Sequence, residues 1–184
     1  MYRLLLLISG WKIDTNTPEE YKRCVLVGAP HTSNWDLFYA ILLLKTLKVP
    51  FKFTIKKQWF RFPFNLIIGP LGGIPINTKK KEKNGNVKIM ADFFKDNKEF
   101  AMAITPEGTR SLREKWKSGF YHLAKDNDLP ICFGYLDYKT KIAGIGGPIF
   151  PTDDKDSDMK KIMEFYNNKK PKYPKNFSLD KRFI

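Results

Sequence analysis

Residues 37–44, Leu-Phe-Tyr-Ala-Ile-Leu-Leu-Leu, form a helical run that is apolar nearly all round. A helix without a polar face has to be covered on more than one side, so this run constrains the fold before any motif is considered. Just upstream, residues 24–28 (Cys-Val-Leu-Val-Gly) read as a buried strand. Pro30 resists continuing a strand ladder, and Ser33 or Asn34 is placed to cap the helix that follows. His31 therefore falls at the carboxyl end of a strand, and Asp36 in the first turn or so of a helix.

Within a continuous helix, side chains five residues apart point away from one another. The turn between strand and helix removes that restriction and lets Asp36 fold back onto His31. A carboxylate near a helix N-terminus is favoured as the anion, which suits it to hold an imidazole in one tautomer. The pair has two readings: a capped turn with a satisfied polar pair, or a general base with its orienting carboxylate.

The alternation of strand and helix continues along the chain. Residues 50–55 alternate apolar and polar side chains as a strand does, and residues 74–77 read as a short strand whose Pro75 suggests an edge or a bulge. Apolar spacing predicts helices over 87–97, 119–125 and 158–166, and buried strands over 99–104 and 130–135. Residues 141–144 and 147–150 read as a final pair of strands joined by a glycine-rich bend. The expected fold is an α/β, single-domain sandwich over residues 1–184, with a mixed, partly parallel sheet covered by helices. In such folds, sites gather in the loops that leave the carboxyl ends of strands. His31 lies in one such loop and Thr105-Pro106-Glu107-Gly108-Thr109-Arg110 in another.

The formal net charge of +14 calls for an anionic partner: nucleic acid, an anionic membrane surface, or an acidic protein or substrate. Residues 1–11 hold five consecutive apolar residues, far fewer than the roughly 20 that span a bilayer and too few for a signal peptide. Residues 1–20 are expected to be an apolar surface anchor or a packed first element, with Trp11 at an interface. The basic and aromatic stretch 56–68 is either a core-facing short helix or an amphipathic ledge lying on lipid. Residues 78–85 read as a solvated basic loop, and 167–184 as a basic tail dotted with Tyr173, Phe177 and Phe183. Cys24 and Cys132 fall within expected strands as small core residues; with two histidines at unrelated spacing they build no zinc site or disulfide framework. A reducing cytosol fits.

His31-Thr32-Ser33-Asn34-Trp35-Asp36 resembles the His-x4-Asp motif of the glycerolipid acyltransferase superfamily, which includes the lysophosphatidic acid acyltransferases. Pro106-Glu107-Gly108-Thr109-Arg110 resembles that family's Pro-Glu-Gly-Thr-Arg motif, 71 residues beyond Asp36. Gly73-Ile74-Pro75-Ile76-Asn77 resembles its second block, Leu129-Pro130-Ile131 stands where the fourth does, and Lys117 takes the place of the family's Lys-x-Gly lysine. The resemblance runs over about residues 20–150 in order. It departs at one place: where the second block commonly ends in an acidic residue and an Arg that binds acceptor phosphate, this chain has Asn77 and Thr78, followed by Lys79, Lys80 and Lys81. Either a nearby Lys such as Lys79 supplies the charge or the acceptor's anionic group is bound differently or is absent, since Lys does not replace a bidentate Arg.

The resemblance implies transfer of a fatty acyl group from acyl-CoA or acyl-acyl carrier protein to a hydroxyl of a glycerol-3-phosphate-type lysolipid. His31 and Asp36 are the implied catalytic residues. Glu107, Gly108, Thr109, Arg110, Lys117, Gly73, Ile74, Asn77 and Lys79 are the implied substrate-binding residues. The chemistry is consistent: an alcohol needs a base to take its proton as it attacks a thioester. No Gly-x-Ser-x-Gly elbow offers a serine nucleophile instead. Arg110 suits an anionic head, Gly108 a close backbone approach, and Glu107 the fixing of its loop or of the acceptor. Thr32, Ser33 and Asn34 read as caps, and His122 as structural or exposed. No metal or resident cofactor is expected. The expected partners are an anionic membrane surface at the inner face of the cell membrane, the lysolipid and acyl carrier protein. A lyso-aminolipid acceptor keeps the same chemistry. A nucleic-acid-binding module explains the charge but neither motif.

Overall fold

The computed structural model describes residues 1–76, 85–95 and 97–184. Among them, strands β1 (Lys12–Ile13), β2 (Arg23–Gly28), β3 (Phe51–Lys56), β4 (Gly73–Ile76), β5 (Phe100–Ile104), β6 (Ile131–Asp137) and β7 (Ile142–Ile149) form one sheet, in the order β1-β7-β6-β2-β5-β3-β4. All neighbouring pairs run parallel except β6 and β7, which are antiparallel. Six α-helices accompany it: α1 (Tyr2–Ile8), α2 (Asn34–Thr46), α3 (Asn65–Ile68), α4 (Gly85–Lys95), α5 (Gly119–Lys125) and α6 (Lys155–Asn167). This is the α/β sandwich with a mixed, mostly parallel sheet that the alternation of elements predicts.

The period of two along a strand divides the core between the two faces of the sheet. In β2, Val25 and Val27 join Met90 and Phe94 of α4, Phe120 and Leu123 of α5, and Met159 and Ile162 of α6. Cys24 and Leu26 face the other way, toward Leu42, Leu43 and Leu44 of α2 and Leu6 of α1. Cys132 lies buried in the same cluster as Cys24, both as free thiols. The apolar run of α2 is explained by its surroundings: it is packed between sheet and α1, and of its residues 37–44 only Phe38 stands exposed. Pro75 sits on β4, the edge strand, as a residue without an N–H should.

Three expectations need correction. Trp11 is not interfacial: it is fully buried, with Tyr39 and Tyr138 against its ring at 5.0 and 4.9 Å. Residues 142–149 form one strand, not two around a bend, and a Cβ at Gly146 would lie 2.5 Å from the ring of Phe165. That glycine serves a close approach of α6, not a turn. The core-facing alternative for residues 56–68 also fails, because Phe62, Phe64, Leu66 and Ile67 are exposed and Ile68 alone of the α3 leucine-isoleucine run turns toward the core.

The tail packs along the body. Asp180, fully buried, accepts the Trp116 N–H at 2.9 Å and holds the Arg182 guanidinium at 2.6 Å. Arg182 in turn donates to the Trp116 carbonyl at 3.0 Å, and the Trp116 indole N–H to the carbonyl of Ser178 at 3.1 Å. Residues 178–182 thereby fasten the stretch that follows Arg110. Replacing Asp180 by Ala leaves an amide and a guanidinium without their acceptor, and should cost about 2–4 kcal/mol in a denaturant melt. A wild-type midpoint would show that the tail is not a structural fastening.

Candidate active site

Val27 of β2 is in register with Ile104 of β5, so these adjacent parallel strands release their chains side by side at one edge of the sheet. The loop after β2 carries residues 29–36 and the loop after β5 carries residues 105–118. The His31 N–H donates to Glu107 Oε1 at 2.8 Å, and this joins the two.

The turn into α2 is a capping box. Ser33 is the N-cap and its Oγ accepts the Trp35 N–H at 3.2 Å, while Asp36, three residues on, reaches back to the Ser33 N–H. Asp36 Oδ2 takes the N–H groups of Thr32 and Ser33 at 2.7 and 2.8 Å, and lies 3.4 Å from His31 Nδ1. The cap and the His–Asp pair are thus one structure: the capped turn with its satisfied carboxylate is also what brings Asp36 to His31. Asp36 Oδ1 receives the hydroxyl of Tyr138 at 2.7 Å. With Nδ1 turned to the carboxylate, Nε2 is the nitrogen left to act on another molecule.

His31 and Asp36 line a cavity of about 500 Å³ that runs between α2 and the sheet. Leu37, Ala40, Leu43 and Leu44 form its helix wall, and Leu26, Phe53, Ala103, Leu136 and Ile145 its sheet wall. From Asp36 to Leu44 the helix rises roughly 12 Å, so the apolar space extends well away from the imidazole. Gly108, Thr109 and Arg110 line the same cavity, and among the described residues Arg110 makes no ion pair. Gly108 adopts φ of +65°, and a Cβ there would sit 2.7 Å from Lys117 Nζ, so the lysine crosses directly over it. Among the described residues, no three His, Cys, Asp or Glu side chains form a metal-ligating group.

The expected binding residues do not all converge. Gly73 and Ile74 do not line the cavity: Ile74 belongs to the core on the α4–α5–α6 side of the sheet, because strand alternation turns it there. Gly73 abuts Ile68, which does line the cavity. Asn77, Thr78 and Lys79 lie outside the described residues. His122 is exposed on α5. Tyr138 was legible in no motif, and neither was the Tyr173 N–H that donates to Thr32 Oγ1 at 3.3 Å.

Glu107 is buried, with Oε2 lacking any hydrogen-bond partner. Burial pushes its carboxyl from an ordinary 4.5 up to about 8; the His31 N–H opposes this and the charge of Asp36 adds to it. Between those two values the folded protein holds a proton that the unfolded chain releases, so stability declines as pH rises from about 4.5 to 8. Glu107→Gln should flatten that decline, worth on the order of a few kcal/mol, in urea melts across pH. A slope unchanged in the variant would show that Glu107 is not the titrating group.

A family model described as Acyltransferase matches residues 12–133. No curated protein sequence matches the chain significantly. Among solved structures, the 1-acyl-sn-glycerophosphate (LPA) acyltransferase PlsC from Thermotoga maritima shares the fold, with a TM-score of 0.56 and 16% sequence identity over 89% of this chain and 73% of that one. A family match spanning both motif-bearing loops, on this fold, makes the chain a member of the acyltransferase family, within the glycerolipid acyltransferase superfamily.

Proposed function

We propose that this acyltransferase moves a fatty acyl group from acyl-CoA or acyl-acyl carrier protein to the free hydroxyl of a glycerol-3-phosphate-type lysolipid, at a membrane surface. One observation carries the reading: His31, backed by Asp36 at 3.4 Å, opens onto an apolar cavity of about 500 Å³ that also presents an unpaired Arg110. An acyl chain needs the apolar space, a phosphate needs the cation, and the alcohol needs the base. The Thermotoga protein of like fold is named for acyl transfer to 1-acyl-sn-glycerophosphate, and that substrate class fits these three features.

The alcohol oxygen attacks the thioester carbonyl carbon while His31 Nε2 takes its proton. The tetrahedral intermediate collapses with loss of the thiolate, and the imidazolium returns the proton to sulfur. Asp36 holds Nδ1 and stabilises the imidazolium between the two transfers. Arg110 binds the acceptor's phosphate, from the loop whose Gly108 Lys117 crosses. Neutral Glu107 fixes the backbone of His31 and adds no second anion to the site.

The membrane surface is favoured by large exposed apolar groups: Leu4, Leu7 and Ile8 on α1, Trp35 and Phe38 on α2, and Phe62, Leu66 and Ile67 around α3. Among the described residues no helix is long and apolar enough to cross a membrane. The net charge of +14 suits anionic headgroups.

The test is thiol release from acyl-CoA and from acyl-acyl carrier protein, with phosphate-bearing lysolipids and lyso-aminolipids as acceptors. Acceptor-dependent release is expected for phosphate-bearing acceptors. It should fall roughly 10²–10⁴-fold in His31→Ala, and Arg110→Ala should raise KM for the phosphate-bearing acceptor. Release that survives His31→Ala would overturn the base assignment. Release with aminolipids alone would overturn the acceptor.

A further inference from the structure

The hydroxyl that Asp36 receives comes from beyond residue 133, where the family match ends, and from a residue that belongs to no motif. Tyr138 stands in the turn between β6 and β7. Asp137 Oδ1 ties that turn by accepting the N–H groups of Lys139 and Thr140 at 3.0 and 3.4 Å. The Tyr138 N–H donates to the carbonyl of Lys170 at 2.9 Å. Its ring meets Trp11 edge-on at 4.9 Å, and the Lys141 ammonium lies 5.4 Å from the ring centre. Tail, Trp11 ahead of β1 and the turn therefore fix the ring, and its hydroxyl has one described acceptor, Asp36 Oδ1 at 2.7 Å.

The two oxygens of Asp36 divide their duties. Oδ1 is held by the phenol, and Oδ2 by two backbone N–H groups on the side that faces His31 Nδ1. A carboxylate anchored through one oxygen alone is free to swing about its Cβ–Cγ bond; anchored through both, its plane is set. We propose that Tyr138 is a positioning residue of this site, the far end of a Tyr138–Asp36–His31 chain that sets the carboxylate plane and through it the imidazole. The proposal rests on the reading of His31 as general base. The phenol donates and does not ionise: burial, its bond to Asp36 and that carboxylate's charge hold it above the usual phenol range.

The other polar groups around this chain are Glu107 on the His31 N–H, Tyr39 and Tyr173 beside the phenol, Lys141 above it, and Arg110 on the cavity wall. Tyr138→Phe leaves all of them in place and removes one oxygen atom.

Two histidines in the chain make the test clean. In a proton NMR titration of the ring Cε1–H signals, exposed His122 is the internal reference, assigned with His122→Gln. In Tyr138→Phe the titration of the His31 signal should change, because the carboxylate facing its Nδ1 has lost one donor and its fixed plane, while that of His122 stays. In the thiol-release assay kcat should fall roughly tenfold, with KM for both substrates within about twofold in a variant that still folds but melts lower, since the buried carboxylate has lost a donor. An unmoved His31 titration in the folded variant overturns the proposal, and so does a wild-type kcat. Wild-type thiol release in His31→Ala would separately overturn the base assignment. The titration would still report whether Tyr138 governs the Asp36–His31 pair.

Discussion

The carboxylate of Asp36 is the group on which the site depends. It is buried, and a buried anion persists only where donors replace the water it has lost. Two of those donors are backbone N–H groups of the turn that carries His31, and the third is the hydroxyl of Tyr138. Each comes from a part of the chain that has its own reason to be where it is: the amides from the start of α2, the phenol from the turn after β6. Satisfying one charge therefore fixes the helix cap, aims the imidazole and ties a C-terminal turn to an N-terminal loop. The economy of the motif lies here, since the carboxylate that faces the imidazole also completes the capping box of the helix behind it.

Glu107 shows what happens to a carboxyl nearby without that set of donors. It has one N–H on one oxygen and none on the other, and its carboxyl is pushed up to about 8. The two carboxyls share one site but not one set of donors, and neither sequence context announces that difference. The consequence suits the proposed chemistry. Glu107 grips the His31 backbone, joining the two loops, and in its neutral form adds no second anion beside Asp36.

Much of this was legible in the sequence, and the failures have physical causes. Strand and helix periodicities placed the sheet, and the run from Leu37 to Leu44 announced a helix covered on several sides; it proves to be flanked by sheet, α1 and a cavity. His31, Asp36 and Arg110 converge because β2 and β5 are adjacent and parallel, which motif position at strand ends already suggested. Ile74 was misplaced because the second block was assigned by resemblance, whereas the side of a sheet that a residue faces is decided by alternation. Trp11 looked interfacial from its neighbours, yet it packs against Tyr39 and Tyr138, partners that no local pattern reveals. Tyr138 itself was invisible: an aromatic residue in a turn, 102 residues from the carboxylate it serves, leaves no periodic trace.

The same distance explains the basic tail. Read locally, residues 167–184 are a charged stretch, and charge alone points outward to a partner. In the fold, the Lys170 carbonyl holds Tyr138, the Tyr173 N–H holds Thr32, and Asp180 holds Trp116. Lys172 lies 5.2 Å from the ring centre of Trp35, at the entrance to α2, and Lys169 lies 3.9 Å from that of Tyr135. The tail thus touches the loop after β2, the turn after β6 and the stretch after Arg110. The first carries the imidazole, the second the phenol that holds its partner, and the third continues the loop that carries Arg110. Groups that meet substrate are fixed to residue types by chemistry and so form a motif. Groups that hold them in place need only supply a donor or acceptor at the right point, which a backbone carbonyl does as well as a side chain. That is why part of the support for this site lies in a segment that no motif marks.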